Sequence, residues 1–393
     1  MIQQTAAKPK VAFVASVYRH LAAFHKPYME WFQHQGFEVH AYGQQDIGKE
    51  EVQNTGVICH DIPFQRSPFQ LDNVRALKEL TKSFQEELFQ VVHVHTPVAS
   101  VLGRIAAKKS NVPTVFYTAH GFHFFKGAPL KNWLTFYPVE RLMAKYTDYL
   151  VTINEEDFRR AKRFPVKKEV LFVKGVGVDR QVYESGRLSG QLKLEKRQEL
   201  GIGADEFVII CVAELSERKN QMQLIEALGK MRKDGPVKCL LVGNGESEEK
   251  LKAMVDQLNL KKTVQFLGFR RDVPDLIEIA DTVTLLSKQE GLPRAIMEAL
   301  AAAKPVVVTD VRGNSDLVIH GENGYAVELG NIDATVRAFE SLMNSRDQLN
   351  KMGKKSRELS EEYDTVRIAK HMEKIYKKAT HVASHFSPRE EIG

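Results

Sequence analysis

Residues 282–310 read TVTLLSKQEGLPRAIMEALAAAKPVVVTD. Thr282–Leu286 is a short run fit for a strand, AIMEALAAA is a helical run, and Pro305–Thr309 is apolar and strand-like again. Pro293 suits the opening turn of that helix. A strand, a helix and a strand in succession are the unit of a parallel sheet. The same alternation extends upstream through strand candidates Phe207–Ala213, Val237–Val242 and Thr263–Leu267. It occurs a second time in the first half, with strands at Lys10–Ser16, Phe37–Tyr42, Gly56–Cys59, Val91–His95, Pro113–Thr118, Asp148–Ile153 and Glu169–Val173. Runs such as VAFVA and VLFV are apolar throughout, as parallel strands covered on both faces require. Helices are expected between them at Ala22–Gln35, Leu71–Phe89, Val98–Lys109, Lys131–Lys145 and Glu155–Arg163. The pattern restarts after the polar stretch Asp179–Glu199. The reading is α/β: two Rossmann-like, doubly wound parallel-sheet domains at 1–185 and 186–364. A terminal helix begins at Thr365, and Ser384–Gly393 is expected to fray.

The chain has 393 residues, more than one hydrophobic core usually supports. With 43% apolar and 27% charged residues it has a soluble globular composition. No apolar run is long enough to span a membrane, and Met1–Lys10 lacks the apolar stretch of a signal peptide. Three scattered cysteines without a CxxC indicate neither a disulfide framework nor a cysteine zinc site. A cytoplasmic location is expected. The net charge of +6 is unevenly placed: residues 1–180 carry 24 Lys and Arg against 17 Asp and Glu, and nine of the 13 histidines. A basic first half points to an anionic surface or ligand. No Lys/Arg tract, RNP-like pattern or zinc finger supports a nucleic-acid partner. Anionic lipid headgroups or a phosphorylated acceptor fit better.

In open parallel sheets, ligands sit beyond the carboxyl ends of strands, so two such domains facing each other imply a cleft. The first strand runs into Val17–Phe24 with no glycine, which argues against a dinucleotide fingerprint and an NAD or FAD enzyme. Arg19, His20, His25 and Lys26 stand there instead, as a solvated turn or as the anion-binding edge of an acceptor site. His120 directly follows Pro113–Thr118 and precedes Gly121, a functional placement; His123, among Phe122, Phe124 and Phe125, also reads as aromatic core. The segment Lys126–Lys145 mixes aromatic and basic side chains, which suits either a membrane interface or core packing.

Arg218 and Lys219 precede a helix that is expected to begin near Asn220. Side-chain cations and free helix N–H groups together suit a phosphate. Gly243 lies in the turn VGNGESE. Glu290 and Gly291 follow a strand, and Glu298 falls inside an apolar helix. Burying that carboxylate costs several kcal/mol unless partners satisfy it, and sugar hydroxyls are suitable partners. A plain helix-surface pair with Arg294 is the other reading.

Glu290 and Glu298 in E-x7-E spacing, Lys304-Pro305, Arg312-Gly313 and HGENG at 320–324 resemble family 4 of the retaining glycosyltransferases. Within it, TAHGFHFFKGAP, NEEDFRRAK, GVGVD and AELSERKNQ are similar to the EpsD-like exopolysaccharide (biofilm matrix) transferases of Gram-positive bacteria. The resemblance spans about residues 10–380 and implies the GT-B fold, with a C-terminal helix crossing back to the first domain. It implies a nucleotide-sugar donor, expected to be UDP-linked with a hexose or N-acetylhexosamine. The implied acceptor is a polyprenyl-diphosphate-linked glycan, at the inner face of the membrane and beside other exopolysaccharide assembly proteins.

By position, Glu298 would bind the ribose. Glu290, with Gly291 and Leu292 and ahead of Pro293, would hold the donor sugar. Lys219 would bind the diphosphate, Phe269 and Arg270 would lie at the base, and His120 would face the sugar from the first domain. Two departures stand out. Ala213-Glu214 replaces the family's Gly-Arg, leaving Arg218 as a substitute, and the usual glycine-rich first loop is absent. With no DxD in the chain, fixed cations rather than a metal are expected to stabilise the leaving diphosphate, and no cofactor is expected. Retention by same-face attack follows from the resemblance alone. A nucleotide-sugar epimerase and a catalytically silent scaffold subunit are the rival readings.

Overall fold

Val11, Ala12, Phe13, Val14 and Ala15 are all fully buried, so the first strand is covered on both faces as its unbroken apolar run predicts. The computed structural model that shows this describes residues 8–65, 67, 70–231 and 236–383. The chain divides into two units. The first takes the residues up to Val173 and those from Ala369 onward; the second runs from Lys174 to Ile368.

In the first unit the strands are β1 (Lys10–Val17), β2 (Glu38–Gln44), β3 (Ile58–Asp61), β4 (Val91–Val94), β5 (Thr114–Ala119), β6 (Tyr149–Thr152) and β7 (Glu169–Phe172). They form one parallel sheet in the order β3-β2-β1-β4-β5-β6-β7. Its helices are α1 (Tyr18–Phe24), α2 (Lys26–His34), α3 (Gly48–Gln53), α4 (Asp72–Glu87), α5 (Pro97–Lys109), α6 (Leu130–Met143) and α7 (Glu155–Ala161). The winding reverses between β1 and β4, where a doubly wound sheet leaves a crevice at its carboxyl edge.

The second unit repeats the plan with a different sequence. Its strands are β8 (Phe207–Val212), β9 (Val237–Val242), β10 (Val264–Gly268), β11 (Thr282–Leu285), β12 (Val306–Thr309) and β13 (Gly324–Val327). They run parallel in the order β10-β9-β8-β11-β12-β13, reversing between β8 and β11. The helices are α8 (Gly190–Glu199), α9 (Gln221–Lys230), α10 (Glu248–Gln257), α11 (Val273–Ile279), α12 (Arg294–Ala301), α13 (Ile332–Met343) and α14 (Arg346–Ser360). Finally, α15 (Thr365–Ala383) carries the chain into the first unit, where its Tyr376 is fully buried and its hydroxyl meets His93 Nδ1 at 2.8 Å.

Three local features depart from the sequence reading. The single helix expected at Ala22–Gln35 is two, hinged at His25. Pro27 has no N–H with which to continue α1 and is tolerated in the first turn of α2. The stretch before Glu199 holds α8, a helix with no buried residue and hence no hydrophobic period to read. β13 begins on the last glycine of HGENG and buries only Gly324 and Val327, so it shows no continuous apolar run. The expected frayed end, Ser384–Gly393, and most of Met1–Lys10 lie outside the described residues.

On α6, Trp133, Phe136 and Tyr137 pack against the core of the first unit. Leu130, Leu134 and Leu142 are 71%, 69% and 51% exposed, so the helix turns its aromatics inward and leucines to solvent. Among the described residues no helix is long and apolar enough to cross a membrane.

Candidate functional site

The crevice of the second unit gathers the strongest candidates. The segment after β8 and the segment after β11 are joined where the strand order reverses. Lys288 N donates to Arg218 O at 2.9 Å, and Asn220 Nδ2 donates to Leu286 O at 3.0 Å. Asn220 takes a left-handed φ of 54° and caps α9, which begins at Gln221. This brings Lys219 Nζ to 2.6 Å from Glu290 Oε1, with Arg218 Nη1 3.6 Å from the same oxygen. Glu290 is 7% exposed, so its charge is compensated by two cations from a neighbouring strand's loop. Arg312 Nε donates to Glu290 O at 2.9 Å. Gly313 has φ +82°, and a Cβ there would meet Gly291 O at 2.5 Å. Only glycine lets this turn close against the 290–291 backbone.

Leu292 is buried and Pro293 is the N-cap of α12, one residue outside the helix whose opening turn it was expected to occupy. α12 is buried at Ile296, Met297, Ala299, Leu300 and Ala301, and Glu298 is 8% exposed among them. Its Oε1 accepts from Arg294 Nε at 3.0 Å. The helix pair therefore forms, but on a buried carboxylate rather than on a solvated face. Burial raises the Glu298 pKa, opposed by the Arg294 charge and the Tyr183 hydroxyl. Tyr183 comes from the segment before α8 and no sequence signal marked it.

Gly243 closes β9 with φ +132°, and a Cβ on it would meet Ala213 O at 2.1 Å. Glycine there lets the loops after β8 and β9 touch. Phe269 is 72% exposed just past β10. Arg270 is held by Asp272 at 2.7 and 2.6 Å and approaches Glu199 at 3.4 Å, so its guanidinium already serves two carboxylates. Glu214, standing where the family has arginine, is exposed, and its carbonyl accepts from Gln221 Nε2 at 2.9 Å. A cavity of about 620 Å³ near α9 and α10 is lined by Ser216, Gln221 and Lys250 but by neither Glu290 nor Glu298. This cavity and the ion-paired chemistry therefore do not coincide.

The crevice of the first unit holds histidines. His20 and His25 follow β1, His95 follows β4 and His120 follows β5, and one ligand atom from each lies within 4.8 Å of all the others. His20 Nε2 is 3.3 Å from His120 Nε2 and 3.4 Å from His25 Nε2, while the rings of His25 and His95 stack at 3.7 Å. Burial holds His20 down at about 4. Burial first, and then the neighbouring imidazoles, hold His25, His95 and His120 well below the ordinary histidine range. His95 escaped the sequence reading, although it directly follows a strand just as His120 does. Arg19 is exposed beside Asp46 at 3.8 Å, and His123 stacks on Phe136 of α6 at 4.5 Å. Neither joins the cluster.

Two family models match, "Glycosyl transferase 4-like" over residues 10–154 and "Glycosyl transferases group 1" over residues 193–359. The chain is 36% identical to EpsD of Bacillus subtilis (strain 168), over 93% of this chain and 96% of that one. The chain belongs to the group 1 glycosyltransferases. This glycosyltransferase is also 31% identical to the UDP-Gal:alpha-D-GlcNAc-diphosphoundecaprenol alpha-1,3-galactosyltransferase of Escherichia coli, over 73% of this chain and 74% of that one. Among solved structures it matches Anabaena HepE in complex with UDP and glucose at a TM-score of 0.78 and 21% identity, covering 94% of this chain and 100% of that one. Sucrose-phosphate synthase of Thermosynechococcus elongatus matches at a TM-score of 0.77 and 16% identity, covering 96% and 100%. These likenesses bear out the expected GT-B fold for the glycosyltransferase.

Proposed function

We propose that this glycosyltransferase moves a hexose or N-acetylhexosamine from a UDP-sugar to a polyprenyl-diphosphate-linked glycan during exopolysaccharide assembly, with retention and without a metal ion in the transfer step. The observation that carries this reading is the Lys219–Glu290 pair at the strand reversal of the second unit, with Arg218 beside it. Two cations share one carboxylate, so an incoming diphosphate meets net positive charge on groups already fixed in place. That charge opposes the negative charge built up as the nucleotide departs. Glu290 is assigned to the donor sugar's hydroxyls, Glu298 to the ribose and Phe269 to the base. His120 is assigned to the transferred sugar. The UDP-galactose donor and diphosphoundecaprenol-linked acceptor in the name of the Escherichia coli relative, and the UDP held by HepE, support the donor and acceptor classes.

The protein is proposed to work on the inner face of the cell membrane. Support comes from the exposed Leu130, Leu134 and Leu142 of α6, interleaved with exposed Lys131 and Arg141. Calorimetric titration with UDP and with UDP-sugars tests the central claim. Saturable binding lost in Lys219→Ala is expected. Binding without any transfer to a lipid-linked glycan would favour the scaffold reading, and sugar epimerised without an acceptor would favour the epimerase.

A further inference from the structure

We propose that His20, His25, His95 and His120 form a binding site for a transition-metal dication of the zinc class. The four come from three strand ends at the reversal of the first sheet, and their ligand atoms all lie within 4.8 Å of one another. In tetrahedral zinc, a Zn–N bond of about 2.0–2.1 Å places neighbouring nitrogens about 3.3–3.4 Å apart. The His20–His120 and His20–His25 Nε2 separations are 3.3 and 3.4 Å. Hydrogen bonding does not account for this convergence. One ring nitrogen carries either a hydrogen or a lone pair, so His20 Nε2 serves only one of the two contacts as a linear hydrogen bond.

The remaining nitrogens point the same way. His95 is fully buried and neither of its ring nitrogens has a hydrogen-bond partner; His25 Nδ1, also buried, has none. His93 lies against the cluster but stays out of it, because its Nε2 meets Thr118 Oγ1 and its Nδ1 meets the Tyr376 hydroxyl, both at 2.8 Å. An all-nitrogen set suits zinc, nickel or copper rather than magnesium or calcium. His20 and His120 are only half-buried, so the ion's charge stays in contact with water. The other grouping of this kind among the described residues, Glu38, His40 and Glu87, already holds a cation: Lys10 Nζ lies 3.0 and 2.6 Å from its carboxylates.

The site shares His120 with the donor chemistry proposed above but none of Lys219, Glu290 or Glu298, so metal binding can be read apart from transfer. A bound ion would take the His120 lone pair, so zinc is expected to slow transfer rather than support it. The deciding experiment reads the metal itself. Chelator-stripped full-length protein is titrated with cobalt(II) and, separately, dialysed against zinc for metal analysis. One ion per chain and the intense visible absorption of four-coordinate cobalt are expected. His20→Asn and His95→Asn are each expected to weaken binding by at least about tenfold, the scale of lost ligand support at metal sites. Magnesium is expected to leave the cobalt spectrum unchanged. If circular dichroism shows that the buried His95→Asn does not fold, the half-buried His20→Asn decides alone. Absence of the cobalt band, or equal affinity in the folded variants, overturns the proposal.

Discussion

Lys219 Nζ and Glu290 Oε1 are 2.6 Å apart across the strand reversal of the second sheet, though 71 residues separate them in the chain. The pair joins the loops after β8 and β11 and fixes the cation where the departing nucleotide's charge is proposed to fall. Lys219→Ala leaves Glu290 buried with Arg218 beside it at 3.6 Å. A loss on the order of 2–4 kcal/mol in chemical denaturation is expected, as for an uncompensated buried charge. Transfer is expected to fall by about 10²–10³ in kcat/KM. The double variant Lys219→Met with Glu290→Gln should recover much of the stability and none of the turnover. Recovery of both would reduce the pair to scaffolding.

Glu298 carries a stability cost that its proposed role explains. Its folded pKa is raised by burial above the unfolded value of 4.5. Between those two values the folded state binds more protons than the unfolded one, so stability is fullest below the unfolded value and falls as pH rises through the folded one. Above the folded value the ionised carboxylate is therefore a burden in the free protein. Glu298→Gln should melt no lower than the parent at pH 7 while weakening nucleotide binding measured by calorimetry. A variant with parental affinity would remove Glu298 from the ribose site.

The fixed cations predict how transfer responds to chelation. Because Lys219 and Arg218 already stand at the crevice, radiolabelled sugar transfer should continue in EDTA. Complete loss reversed by manganese would overturn that view. A modest rise in rate after chelation accords with the histidine cluster having held an inhibitory ion.

On α6 the exposed leucines and bases predict salt-sensitive association with vesicles. Each Lys or Arg near an anionic surface contributes about 1 kcal/mol, and salt screens it. Co-sedimentation with phosphatidylglycerol vesicles should fall with added salt. It should also fall in Leu134→Ser with Leu142→Ser at unchanged melting temperature, because both side chains are exposed. No sedimentation at low salt would argue against membrane docking.

Much of the molecule was legible in the chain itself. Parallel strands buried on both faces are written as continuous apolar runs, so VAFVA, FVIICV and VVVT announce a doubly wound sheet without any contact information. Loops that follow such strands stand at the carboxyl edge by topology, which is why Lys219 after β8, Glu290 after β11 and His120 after β5 could be singled out. Elements without a continuous apolar run were not legible: α8 buries no residue, and β13 (GYAV) opens on a glycine and buries only Gly324 and Val327.

What the linear chain could not contain was pairing. Whether Glu298 lay on a solvated helix face or inside the sheet's cover depends on what packs over α12, and the structure both buries it and gives it Arg294 and Tyr183. That His95 would stack on His25, and that Lys219 would reach Glu290, follows from where the strand order reverses. Apolar periodicity is a local property fixed by which side chains avoid water. The neighbours of a charge are chosen by strand order, which brings together residues far apart in the chain.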